Sequence, residues 1–154
     1  MIQRIQTVYL LIAEILIGIL FFVPFAGITG KDGSNYQFDI RGLSLGGILK
    51  SDNVSGSMPL ILVWAASMIL IIVCIFMYKN RRQQMKFSIM TIFLLLGFGS
   101  LIFYSVLSNA TILSGSHSFR VFIIFPVIAA ILIYMATRAI GKDEMLVRSS
   151  DRIR

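Results

Sequence analysis

Four apolar blocks limit what this chain can fold into: Ile5–Ile28, Pro59–Tyr78, Phe87–Leu107 and Val121–Thr137, the last extendable to Ile140. A helix rising about 1.5 Å per residue needs about 20 residues to cross a hydrocarbon core of about 30 Å. Each block is near or above that length. The chain therefore reads as an all-α membrane protein with four transmembrane helices, over about 5–28, 59–78, 87–107 and 121–140. Composition agrees: 57% of residues are hydrophobic and 14% charged, and the mean hydropathy is +0.87. A soluble domain covers its core with about 25% charged residues. With 154 residues there is room for one integral membrane domain, with an outer loop at 29–58 and a tail at 141–154.

A cleaved signal peptide is the rival interpretation of the first block. Signal cores run to roughly 7–15 apolar residues, and this run is longer and is interrupted by Glu14. Met1 is taken as retained.

The net charge of +7 is a topology signal rather than a nucleic-acid footprint. With the N-terminus inside, ten of the fourteen basic residues fall on the inner side: Arg4, Lys79, Arg81, Arg82, Lys86, Arg138, Lys142, Arg148, Arg152 and Arg154. Lys31, Arg41, Lys50 and Arg120 fall outside, beside three aspartates. Short loops carry their basic excess inside, so both termini are expected in the cytoplasm. In "YKNRRQQMKF", the charges of Lys79, Arg81, Arg82 and Lys86 would meet anionic lipid headgroups. Anchoring alone is the plainer account of that turn.

The outer loop holds one strand signal. In "YQFDIRGL", Tyr36, Phe38 and Ile40 alternate with Gln37, Asp39 and Arg41, a period of two that marks a strand. "KDGSN" before it is turn chemistry. The run "LSLGGIL" could pair with the strand or lie on the membrane surface. The loop is thus expected to form a small ordered cap containing a strand or hairpin. On the third block, "LGFGS" supplies Gly97, Gly99 and Ser100, which would let another helix approach closely.

Glu14 is the sharpest chemical feature. Counted from Ile5, it lies about 13 Å into the bilayer. An ionised acid near the centre costs about 2.5–3.5 kcal/mol, so Glu14 should face the bundle or a partner. By depth, Ser67 and Ser100 are its nearest polar neighbours, and a protonated Glu14 hydrogen-bonded to serine is preferred to a salt bridge. Two roles compete: interhelical or subunit contact, and a proton or substrate site. A transporter usually shows several convergent polar groups, and these spans are otherwise apolar.

The remaining candidates are weak. Cys74 is a lone cysteine that reads as a packing residue. His117 is the only histidine and has no thiol or imidazole partner for a metal. No phosphate-cradling loop or zinc-protease helix motif occurs, so neither cofactor, metal nor enzymatic activity is expected. In the tail, Glu144 precedes Arg148 by four residues and Arg148 precedes Asp151 by three, as helical ion pairs do. Leu146 and Ile153 share a face, with Arg152 beside it. The tail is either a solvated helix end or a docking segment for a partner or for the "KNRRQQMK" turn.

The opening "MIQRIQTVYL" and the closing "DEMLVRSSDRIR", with four spans between them, resemble a family of small integral membrane proteins of Bacteroidota catalogued as a domain of unknown function. The resemblance covers essentially the whole chain. It implies a bacterial inner membrane and a four-helix topology, and it supplies no catalytic residues. The expected function is that of an accessory or scaffolding subunit of an inner-membrane assembly for protein export or envelope biogenesis. Its partners would be the bilayer and other inner-membrane or cytoplasmic proteins. The alternative is a small proton-coupled carrier or channel using Glu14, which would need to form homo-oligomers to enclose a path.

Overall fold

The computed structural model describes residues 5–31, 33–45, 52–78 and 80–151, without the side chains of 52–56, 143–144 and 146–151. Helix α1 covers Ile5–Ile19, and strands β1 (Ala26–Thr29), β2 (Asn35–Asp39), β3 (Gly42–Leu45) and β4 (Asp52–Gly56) follow it. Helices α2 (Met58–Phe76) and α3 (Arg81–Ile112) come next, then strand β5 (Ser116–Phe119). A short 3-10 turn at Val121–Ile124 leads into α4 (Phe125–Asp151).

The fold is mixed α/β, which corrects the all-α expectation. The end of the first expected helix, the outer loop and part of the segment between the third and fourth expected helices together form an antiparallel five-stranded sheet in the order β4-β3-β2-β1-β5. The alternation at Tyr36–Ile40 falls on β2 as far as Asp39, and Tyr36 and Phe38 pair with Leu45 and Leu43 of β3. Asp39 Oδ1 closes that hairpin by accepting from the backbone N–H groups of Arg41 and Gly42 at 2.7 and 3.2 Å. Gly42 has φ +127°, a conformation that side chains disfavour.

The largest departure lies in the first apolar block. It does not run as one helix from 5 to 28: α1 stops at Ile19, and the block's end becomes β1, between β2 and β5. Pro24 biases Val23 toward extended backbone. Phe25 then donates its N–H to Phe38 O at 2.7 Å, and Arg120 donates to Phe25 O at 2.8 Å. β5, which lies between the third and fourth apolar blocks, pairs with β1 from Ala26↔Phe119 to Thr29↔Ser116.

Among the described residues, three helices rather than the expected four are long and apolar enough to cross a membrane: Met58–Phe76, Arg81–Ile112 and Val121–Lys142. The 15 residues of α1 reach only about 22 Å at 1.5 Å per residue. Outward-facing side chains such as Phe93, Phe103, Ile69 and Ile131 are large, apolar and exposed. Exposed apolar surface on that scale is disfavoured in water and suits a hydrocarbon solvent.

The helices alternate in direction, and α4 packs on α1 and α3 while α2 packs on α3 and α1. Every helix–strand connection falls at one end of this bundle, so the sheet caps that end. Its apolar face buries Ala26, Ile28, Phe38 and Leu43 in a core continuous with the helices. The opposite face carries Thr29, Asn35, Gln37 and Ser118. The α2–α3 turn lies at the other, basic end.

Candidate functional site

Glu14 sits on the side of α1 that faces α2. One turn further on, a Cβ at Gly18 would touch Met68 Cε at 3.8 Å, and residues four apart share a helix face. Above it, Trp64 Nε1 donates to Ile17 O at 2.9 Å and satisfies a carbonyl that the end of α1 leaves without a helical partner. Glu14 Oε2 is buried and makes no hydrogen bond among the described residues.

Neither serine expected beside Glu14 is hydrogen-bonded to Glu14 Oε2. Ser67 is fully buried on α2, but its hydroxyl donates to Val63 O at 2.7 Å within its own helix. Ser100 lies on the exposed side of α3 and donates to Leu96 O at 2.9 Å. Next to Ser100 on α3, Phe98 and Ile102 point inward, and Ser100, two positions from each, points away. Counting residues gives depth in a bilayer, whereas the angle around the helix decides contact.

A polar cluster that the sequence reading missed lies between α2 and α3. Gln84 Nε2 donates to Cys74 O at 2.9 Å, both residues being buried, and so satisfies a carbonyl in the last turn of α2. Ser88 Oγ contacts Cys74 Sγ at 3.7 Å, and Thr91 Oγ1 donates to Phe87 O at 2.8 Å. Cys74 is thus a packing residue inside a hydrogen-bonded seam. The signal was present: Gln84, Ser88 and Thr91 recur at i, i+4 and i+7, in line with Leu95 and Phe98 on the buried stripe.

At the basic end, Met77, Gln83, Lys86, Phe87 and Met90 line an open groove of about 540 Å³. Lys86 is exposed at its edge. Arg81 and Arg82 are both engaged in interactions, and Lys79 lies outside the described residues. Of the tail candidates, Glu144, Leu146, Arg148 and Asp151 belong to the backbone of α4, with side chains that are not described. Arg152 and Ile153 lie outside the described residues. Gly141 marks the level of the tail against α3, since a Cβ there would meet Met85 Sδ at 3.9 Å.

His117 is exposed on β5, its ring edge-on to Phe119 at 5.1 Å. Among the described residues, no group of three or more His, Cys, Asp or Glu side chains could hold a metal ion.

Residues 2–153 match the model of a family described as a domain of unknown function (DUF4293). No curated protein matches the chain.

Proposed function

We propose that this chain, which belongs to the DUF4293 family, is a non-enzymatic accessory or scaffolding subunit of a larger assembly in a bacterial inner membrane. The assembly would serve protein export or envelope biogenesis. In this reading both termini and the α2–α3 turn face the cytoplasm, as the basic residues favour, and the sheet caps the outer side.

The observation that carries the reading is the length of α4. Gly141 is level with Met85, four residues inside the start of α3, yet α4 continues for ten residues beyond Gly141 to Asp151. Counted from that contact, up to about six residues, or about 9 Å at 1.5 Å per residue, extend past the start of α3. A membrane anchor has no need of such a projection, and a helix extended into the aqueous phase is a common recognition element.

Deleting Asp143–Arg154 tests this. The truncated protein should insert into the membrane normally and lose proteins that co-purify with the full chain in mild detergent. An unchanged set of co-purifying proteins would sink the subunit reading. The unpartnered Glu14 Oε2 supports a second reading, a proton-coupled carrier. That reading demands proton-linked flux in vesicles that Glu14→Gln abolishes while the protein stays intact.

A further inference from the structure

We propose that the groove at the corner of α2 and α3 is a binding site for one anionic phospholipid, its headgroup phosphate on Lys86 and one acyl chain along Phe87 and Met90. The order of residues along the groove carries the argument. Gln83, Lys86, Phe87 and Met90 fall at i, i+3, i+4 and i+7 of α3, on one face. Moving from the turn toward the middle of the helix, this face changes from amide and ammonium to ring and thioether. The step from Lys86 to Met90 is about 6 Å of helix rise. A phospholipid that lies beside α3 with its head at the turn presents the same sequence of chemistries in the same direction.

Charge selects the class of lipid. Residues 77–91 contain four basic side chains and no acidic one. Lys86 is exposed at the groove's edge. A basic pocket between membrane helices at the cytoplasmic surface is a recurring site for anionic headgroups. Shape adds to this. The groove's volume of about 540 Å³ falls in the range of small-molecule sites, about 300–1,000 Å³. Its methionines, Met77 from the end of α2 and Met90 from α3, can adapt to a flexible chain because the thioether side chain is unbranched and polarizable. Tyr78, exposed beside the turn, is of the residue type enriched at headgroup level.

The site rests on the chain residing in a bilayer, not on its being a subunit of any assembly, so it stands or falls separately from the tail deletion. The test is native mass spectrometry of the full chain in mild detergent, supplemented with either dioleoylphosphatidylglycerol or dioleoylphosphatidylcholine. One phosphatidylglycerol should be retained per chain, in several-fold preference to phosphatidylcholine. Lys86→Gln should weaken phosphatidylglycerol retention about fivefold, as loss of one interfacial cation implies, and weaken phosphatidylcholine retention less, because its choline cation offsets the phosphate charge. Met90→Trp, which fills the groove and keeps Lys86, should reduce retention of both lipids. Displacement of the bound lipid by millimolar inorganic phosphate would assign the site to a free anion and overturn the lipid assignment. Equal retention of the two lipids, or no change in Lys86→Gln, would overturn it as well.

Discussion

A carboxyl oxygen that is buried without a hydrogen-bond partner carries an uncompensated desolvation cost of about 1–3 kcal/mol, more when the group is charged. Glu14 Oε2 is such an atom, and its neighbours explain why the isolated chain leaves it so. Ser67 gives its hydroxyl proton to its own helix, and Ser100 faces outward. If a second subunit supplies the missing partner, the isolated protein and the assembly will respond in opposite directions. Glu14→Leu should raise the thermal stability of the isolated chain, by about 1 kcal/mol or more, because an apolar group of similar size replaces an unpaired polar one. The same change should weaken co-purification of partners, while Glu14→Gln, which keeps hydrogen-bonding capacity, should retain them. Loss of stability in the isolated Glu14→Leu protein would mean that the carboxyl is already paired within the chain, and the partner role would fail.

Strand β5 ties the C-terminal half of the chain to the N-terminal half, and Gly115 is where the tie is most exposed to perturbation. A Cβ at Gly115 would fall on the Thr29 carbonyl oxygen of β1, with Thr29 C at 3.0 Å and Gly30 Cα at 3.2 Å. Backbone atoms of a paired strand cannot swing aside as a flexible side chain can. Gly115→Ala should therefore cost about 1–3 kcal/mol, as overpacking typically does, read as a lower unfolding temperature in detergent. Gly97 on α3 is the control, since a Cβ there meets nothing within 4 Å. Gly97→Ala should be neutral or stabilising by up to about 1 kcal/mol through helix propensity. If the two variants behave alike, β5 is not held to β1 as described. The same strand also anchors on α3, where Phe119 stacks on Phe103 with ring centroids 5.4 Å apart and planes 15° apart.

The molecule as a whole has two chemically different ends. One end is closed by the sheet, with Trp64, Phe21 and Arg41 stacked at its edge: the rings of Phe21 and Trp64 are 5.0 Å apart, and the Arg41 guanidinium lies 4.9 Å from the centre of the Phe21 ring. The other end carries the α2–α3 turn, the groove beside Lys86 and the end of α4. In the proposed orientation, which the basic asymmetry favours, the second end faces the cytoplasm. Reporters fused at Met1 and Arg154 should both register as cytoplasmic, and one inserted at Ser51 should register as exported. An exported reporter at Arg154 would reverse the assignment and remove the tail from any cytoplasmic partner.

Much of this was determined by local sequence. Apolar run length separated helices from connections at residues 59–78, 87–107 and 121–140, and alternation marked Tyr36–Ile40 as a strand, because both signals depend only on neighbouring residues. Pro24 is a local signal for a break in the first apolar block, but tertiary structure decided that the residues after it form a strand. Ala26–Thr29 belongs to the same uncharged stretch as the end of the helix before it. It becomes a strand because Phe38 and Arg120, distant in sequence, hydrogen-bond to the backbone of Phe25 and open the ladders on both sides of β1. Tertiary structure also decided which side of each helix faces inward. Hydropathy gives the depth of Glu14, Ser67 and Ser100, but their contacts depend on helix phase, which the packing of α4 between α1 and α3 fixes.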